Sequence, residues 1–324
     1  MLHTRFCELF GISVPILLAP FGPWEEVELA AAVCQAGALG SLGTAVRSPQ
    51  ELREQWARLR SLTDRPFVVN HTGRPFNEEA FAASLEAQPA AISFHMGIPG
   101  DLIARAHDRG IRWIQTVGDR AAAELALHAG ADVLVAQGSE AGGNSGWVST
   151  MVLVPAVVDV AGEVPVLAAG GIGEGRGIAA ALVLGAQGAS LGTRFLATTE
   201  MGIAEAWKQR LIEAEAMEAV KVAHAERVLP PFTIPQVGRP FAPRALRTPL
   251  IEQLETDPEA FDPSVMGPGA GSDQSRRRPR IPALRWAVGR ADPRGAAGQG
   301  TRRQPDSPGR GSTRARSSAR EVRD

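Results

Sequence analysis

The chain has 324 residues, 44% of them hydrophobic, and a formal net charge of −1, enough for one large core or two modest ones. It contains no run of about 18 apolar residues and no basic segment leading into an apolar one at the N-terminus, so neither a membrane span nor a secretory leader is expected and the reading is cytoplasmic. The charge is uneven: residues 1–264 carry 20 Lys+Arg against 30 Asp+Glu, whereas residues 265–324 carry 14 Arg, no Lys and 5 acids.

From Pro15 onward, short β-rich apolar runs alternate with helical segments, the pattern of repeated parallel βα units. Strands are predicted over Pro15–Phe21, Ala38–Gly43, Pro66–Asn70, Ala90–His95, Arg112–Val117, Asp132–Gln137, Val164–Ala169 and Ala189–Thr193. Helical segments follow, among them Glu25–Gln35, Pro49–Arg60, Ala121–Ala129, Gly175–Leu184 and Ala204–Ala219, with Gly37, Gly110, Gly130 and Gly185 placed as C-terminal stops. Eight such units in about 200 residues predict a closed (β/α)8 TIM barrel rather than an open doubly wound sheet. After Ser264 the composition turns to Arg, Gly, Pro and Ser, so residues 1–264 read as the barrel with a C-terminal extension and 265–324 as a disordered basic tail. An altered reading frame is one origin for such a change. Trp286 is the tail's lone aromatic, too little for a stacking platform, so nucleic acid is not the expected partner.

In a barrel of this kind the chemistry belongs to the loops at the C-terminal ends of the strands. Those ends read Ala19-Pro20-Phe21-Gly22, Asn70-His71-Thr72, His95-Met96-Gly97, Gln115-Thr116, QGSEAGGNSGW over Gln137–Trp147, Ala169-Gly170-Gly171-Ile172 and Gly192-Thr193-Arg194. The glycine-bearing turns after the seventh and eighth strands, with the Thr193 hydroxyl, present donors suited to a phosphate. Asn70 and Gln115 carry uncharged amides that can both donate and accept, suited to the edge of an isoalloxazine ring. A phosphate site alone also fits sugar-phosphate enzymes and purine-nucleotide dehydrogenases. Cys7 and Cys34 make no CxxC and no metal-ligand spacing, and read as small buried hydrophobes; no metal is expected. The absence of Tyr removes a phenol from the possible general acids.

The ordered segments Gly11-Ile12 with Pro15-Ile16 and Ala19-Pro20, VNHT (69–72), SFHMGIP (93–99), QGSEAGG (137–143), LVPAVVD (153–159), AAGGIGEGRG (168–177) and LGTRFLAT (191–198) resemble the nitronate monooxygenases, formerly 2-nitropropane dioxygenases, from about Phe6 to Glu200. The resemblance implies non-covalent FMN with Gly170, Gly171, Gly192 and Thr193 at its phosphate, and Asn70, Gln115, Gly142 and Gly143 near its ring and ribityl chain. Pro20, Phe21, Gly22 and Ala169 join the implied cofactor wall. It implies oxidation of small-molecule nitronates by O2 to a carbonyl compound and nitrite. The same family embraces flavin-dependent enoyl-ACP reductases and NADH:quinone reductases, so an NAD(P)H-dependent reductase, or a flavin-binding barrel without turnover, stays open. Two positions depart from the family. Asn144 stands where most relatives have a catalytic histidine, and Phe21 stands where Met is usual. A carboxamide cannot take a proton near neutral pH, although it can orient an anion. The expected catalytic residues are therefore Asn144 and His95, with His71 a second histidine at the mouth and Glu140 a holder of the loop.

Overall fold

The computed structural model describes residues 3–22, 24, 26–227 and 241–260. The predicted tail and the boundary after residue 264 lie outside the described residues. In chain order come α1 (Arg5–Phe10), β1 (Ile16–Leu18), α2 (Val27–Gln35), β2 (Gly40–Gly43), α3 (Pro49–Leu62), β3 (Phe67–Thr72), α4 (Glu78–Ala87), β4 (Ala91–His95), α5 (Gly100–His107), β5 (Arg112–Val117), α6 (Arg120–His128) and β6 (Val133–Gln137). A short strand, β7 (Gly143–Ser145), interrupts the alternation before α7 (Thr150–Ala161), β8 (Val166–Ala169), α8 (Gly175–Val183), β9 (Gly188–Leu191), α9 (Thr193–Leu196) and α10 (Glu205–Glu213). Then follow β10 (Ala219–Lys221), β11 (Ala242–Leu246) and α11 (Pro249–Thr256).

Eight strands form one parallel sheet in the order β1-β9-β8-β6-β5-β4-β3-β2. Its edges meet through a parallel bridge between Leu17 of β1 and Leu39 just ahead of β2. The molecule is a (β/α)8 barrel, as the alternation predicts. Local chemistry sets the helix ends: Ser48 and Glu51 form a reciprocal capping box with Pro49 opening α3, and Asn77 and Asp119 cap α4 and α6 with their side chains. Gly37, Gly110, Gly130 and Gly185 all take positive φ, the conformation expected of helix stops.

The barrel interior is a separate layer of small and branched residues, including Leu17, Leu39, Val68, Ala91, Ile114, Val133, Val135, Leu167 and Ala169. Phe6 and Phe10 from α1 pack into this layer. This helix was not among the predicted elements; Thr4 caps its start and Gly11, at φ 64°, ends it. Two predicted boundaries are corrected. Thr193 opens α9 instead of ending a strand, because the strand stops at Leu191. The helix expected over Ala204–Ala219 ends at Glu213, and its last residues turn into β10. β10, β11 and β7 make a second, antiparallel sheet in the order β10-β11-β7.

Candidate active site

Because side chains alternate across a strand, the interior cluster identifies which residues reach the mouth. Ile114 lies inside the barrel, so Thr116 points inward and Gln115 points to the helices. The same parity, carried across the strands by register, turns Asn70, Thr72, Ser93, His95, Gln137 and Ser190 inward. The upper ring is thus amides, hydroxyls and one imidazole, without a charged side chain among these positions. Asn70 Nδ2 donates to Ser93 Oγ at 2.9 Å, which fixes its amide plane.

Behind the ring, the strand ends are tied by polar groups. The Glu26 carboxylate, 1% exposed, accepts from the Gly43 amide at 2.6 Å and from the Phe21 amide at 3.0 Å. Arg47 collects the carbonyls of Gly22 at 2.8 Å and Gly43 at 3.1 Å, with that of Trp24 as a third. Pro20, Phe21 and Gly22 are therefore held in one backbone course, and the Phe21 ring is buried. A Cβ built on Gly192 would lie 3.8 Å from that ring, so Phe21 forms the wall beside this turn.

The two phosphate-type turns differ. Gly170 has φ 110°, and a Cβ there would come within 2.8 Å of the Ala141 amide and Thr150 Oγ1, so close packing requires glycine. Gly171 has φ 71°, and a Cβ there would meet only the Glu140 side chain within 4 Å, at 3.4 Å and beyond. Gly192 precedes Thr193 as the N-cap residue of the four-residue α9. Ala169 contributes its carbonyl to the Gly138 amide at 2.9 Å. Glu140 accepts from the Thr150 amide at 2.9 Å and lies 3.0 Å from its hydroxyl, the loop-holding role expected of it.

The loop after β6 carries Gly142, Gly143 and Asn144 and is stitched into the second sheet, with Gly143, Asn144 and Ser145 opposite Arg244, Pro243 and Ala242. Gly143 takes φ 74°. Arg244 reaches the Ser139 carbonyl at 3.1 Å and that of Ala219 at 2.7 Å. Lys221 donates to the Ser145 carbonyl at 2.8 Å, to its hydroxyl at 2.9 Å and to the Gly146 carbonyl, and sits 4.8 Å above the Trp147 ring. Asn144 Oδ1 is buried and has no hydrogen-bond partner among the described residues. His95 Nε2 lies 2.8 Å from the Asn144 carbonyl, and its ring stacks on Phe241 at 5.7 Å with the planes 13° apart.

The family model for nitronate monooxygenase matches residues 3–79 and 72–262. The chain belongs to the nitronate monooxygenase family. It is an oxidoreductase. It is 36% identical over 253 residues to the nitronate monooxygenase of Paraburkholderia phytofirmans, covering 63% of this chain and 69% of that protein. It is also 34% identical over 262 residues to the (3aS,4S,5R,7aS)-5-hydroxy-7a-methyl-1-oxo-octahydro-1H-indene-4-carboxyl-CoA dehydrogenase of Mycobacterium tuberculosis, covering 80% of this chain and 70% of that protein. Among solved structures, FabK from Thermotoga maritima superposes with a TM-score of 0.71 at 33% identity, over 80% of each chain. No helix among the described residues is long and apolar enough to cross a membrane.

Two of the residues nominated from the sequence of this nitronate monooxygenase relative sit differently from expectation. Gln115 is fully buried: its Oε1 accepts from Trp113 Nε1 at 3.0 Å and its Nε2 faces the carbonyls of Gly97 at 2.9 Å and Thr116 at 3.1 Å. It braces strand ends from behind, and Thr116 holds the inward position. His71 turns into the helix layer, with Nε2 at 2.8 Å from Ser84 Oγ, Nδ1 at 3.2 Å from Thr44 Oγ1 and its ring edge-on to Phe81; burial lowers its pKa to about 3. It is neutral and away from the mouth. His95 does face the mouth, but burial lowers its pKa to about 4, and since a carbonyl only accepts, Nε2 carries the proton. Lys221, Arg244 and Phe241 were not nominated; each lies more than 70 residues from the loop it touches.

Proposed function

We propose that this chain oxidises alkyl nitronates with O2 to a carbonyl compound and nitrite, using bound FMN. The carrying observation is Asn144: its Oδ1 is buried without a partner among the described residues, at the loop position where an imidazole would be expected. A buried amide oxygen without a partner costs about 1–3 kcal/mol, an expense that a donor group of a bound ligand, such as a ring N–H or a ribityl hydroxyl of a flavin, would relieve. Three further features fit the FMN reading. Gly171 holds a left-handed turn whose Cβ space is open but for Glu140, the mouth carries short hydroxyls and amides, and Asn70 is already oriented by Ser93. FMN would supply the electron acceptor.

The chain's own contribution is orientation. The Asn144 carboxamide can turn its NH2 toward nitro oxygens that already carry negative charge, and Asn70 and Thr116 line the same mouth. Neither nitrogen-bearing candidate base is placed to remove an α-proton from a neutral nitroalkane through Nε2, since His71 faces away and His95 Nε2 serves the Asn144 carbonyl. A preformed nitronate needs no such step. A second reading, oxidation or reduction of an acyl-CoA type substrate on the same flavin, draws support from the relative named as a carboxyl-CoA dehydrogenase.

Anaerobic absorbance separates these. The purified protein should carry a flavin spectrum that bleaches on mixing with a nitronate and recovers with O2. Bleaching only by NADH would support a reductase, and a colourless chain that refuses added FMN would remove both readings.

A further inference from the structure

We propose that His95 is a positioning residue that fixes the Asn144 backbone, and through it the substrate-facing carboxamide, by donating Nε2–H to the Asn144 carbonyl. The inference deepens the reading of Asn144 above and rests on it for its functional meaning, but the hydrogen bond itself is a property of the fold.

The argument starts from strand pairing. Asn144 lies in β7 directly opposite Pro243 of β11. Proline has no N–H, so this is a non-hydrogen-bonded pair of the antiparallel ladder, and the Asn144 carbonyl points away from β11. A buried carbonyl left without a donor is destabilising, and here the donor comes from the barrel: His95, the last residue of β4, reaches it at 2.8 Å. The direction of this bond is forced, because the carbonyl can only accept, and it leaves Nδ1 as the unprotonated nitrogen. Phe241, two residues before Pro243, lies parallel to the imidazole at 5.7 Å and holds its plane. The same segment therefore sets the ladder in which the Asn144 carbonyl faces away from β11, and braces the side chain that donates to it. Lys221 grips the next two carbonyls, at Ser145 and Gly146, so the Asn144 carbonyl is the link that His95 serves from the barrel side.

The geometry dictates which substitutions retain the bond. A glutamine at this position extends its amide nitrogen about as far from the backbone as Nε2, whereas an asparagine reaches only as far as Nδ1 and stops short of the carbonyl. Hydrogen exchange of the peptide spanning residues 138–147, followed by mass spectrometry on the full chain as purified, reads the loop directly. His95→Asn should speed exchange of the Asn144 and Ser145 amides by about 2- to 12-fold, the span that one net hydrogen bond corresponds to. His95→Gln should stay near the wild-type rate, with peptides from β5 and β6 unchanged in both as the control for folding. Equal exchange in wild type and His95→Asn, or equal acceleration in the Asn and Gln variants, overturns the proposal. If the Asn variant does not fold, the Gln variant decides it alone, because acceleration there means that the donated bond was not what held the loop. Nitronate oxidation is measured alongside: a wild-type chain with no turnover but a His95-dependent loop would refute the function reading and leave the positioning role standing.

Discussion

Lowering the pH from 7 to 5 should cost this protein roughly 4 kcal/mol of folding stability, about half of it traceable to His71. His71 is buried and His95 half-buried, both neutral, and desolvation depresses their folded pKa values from 6.5 to about 3 and about 4. The folded pKa lies below the unfolded one, so the unfolded chain binds protons first as pH falls. The contribution is complete above about pH 6.5 and is lost toward the folded values. Each pKa unit corresponds to about 1.36 kcal/mol, which gives about 2 kcal/mol per histidine at pH 5. The carboxylates with lowered pKa values, Glu51, Glu78, Glu200 and Glu218, start from 4.5 and titrate below this window. Urea unfolding at pH 7, 6 and 5 measures the effect, with His71→Gln as the comparison. The variant is expected to be less stable at pH 7 but to lose only about 2 kcal/mol on acidification. A variant whose pH dependence matches wild type would refute the assignment of His71 as a buried neutral group.

Asn144→His should raise turnover of neutral nitroalkanes by about 10^2- to 10^4-fold, the contribution of a well-placed general base; initial rates with the nitroalkane and its nitronate across pH check this, and equal wild-type rates for both forms would contradict it. Gly171→Leu forces a side chain into φ 71° and into the open side of the turn, so flavin absorbance should be lost on desalting. Gly192→Ala, whose Cβ would meet Ala19 and Phe21 at 3.4 and 3.8 Å, should retain it. Lys221→Met removes charge-assisted bonds to two carbonyls and a cation–π contact, and should cost roughly 2 to 4 kcal/mol in denaturant unfolding.

The barrel was legible because eight short β-rich runs alternate with helical segments, four of them ended by a glycine stop, and burial of the strands on both faces leaves little room for other readings. What adjacent residues do was harder to see. Asn70 and His71, or Gln115 and Thr116, are neighbours in sequence yet face opposite sides of the sheet, and a loop-by-loop survey of polar types does not apply that parity. Anchoring it on Ile114 would have selected Thr116 over Gln115. The second sheet was out of reach for another reason: β7 and β10 have three residues each, and β11 contains Pro243, so no periodicity announces them. Their pairing joins segments far apart in the chain, and its driving contacts are side chains such as Lys221 on backbone carbonyls. Helix α1, six residues long, was too short to show a helical period.

The loop bearing Asn144 emerges from the ribosome well before residues 219–246, yet those later residues supply its pairing strand and its lysine anchor. The eight βα units can be assembled in order of synthesis, but the mouth reaches its final shape only when the chain has passed the barrel and folded back. A product arrested after β9 would thus be a formed vessel with an unset rim. Cofactor retention in such nascent chains, compared with chains extended through α11, would time the moment at which the site closes.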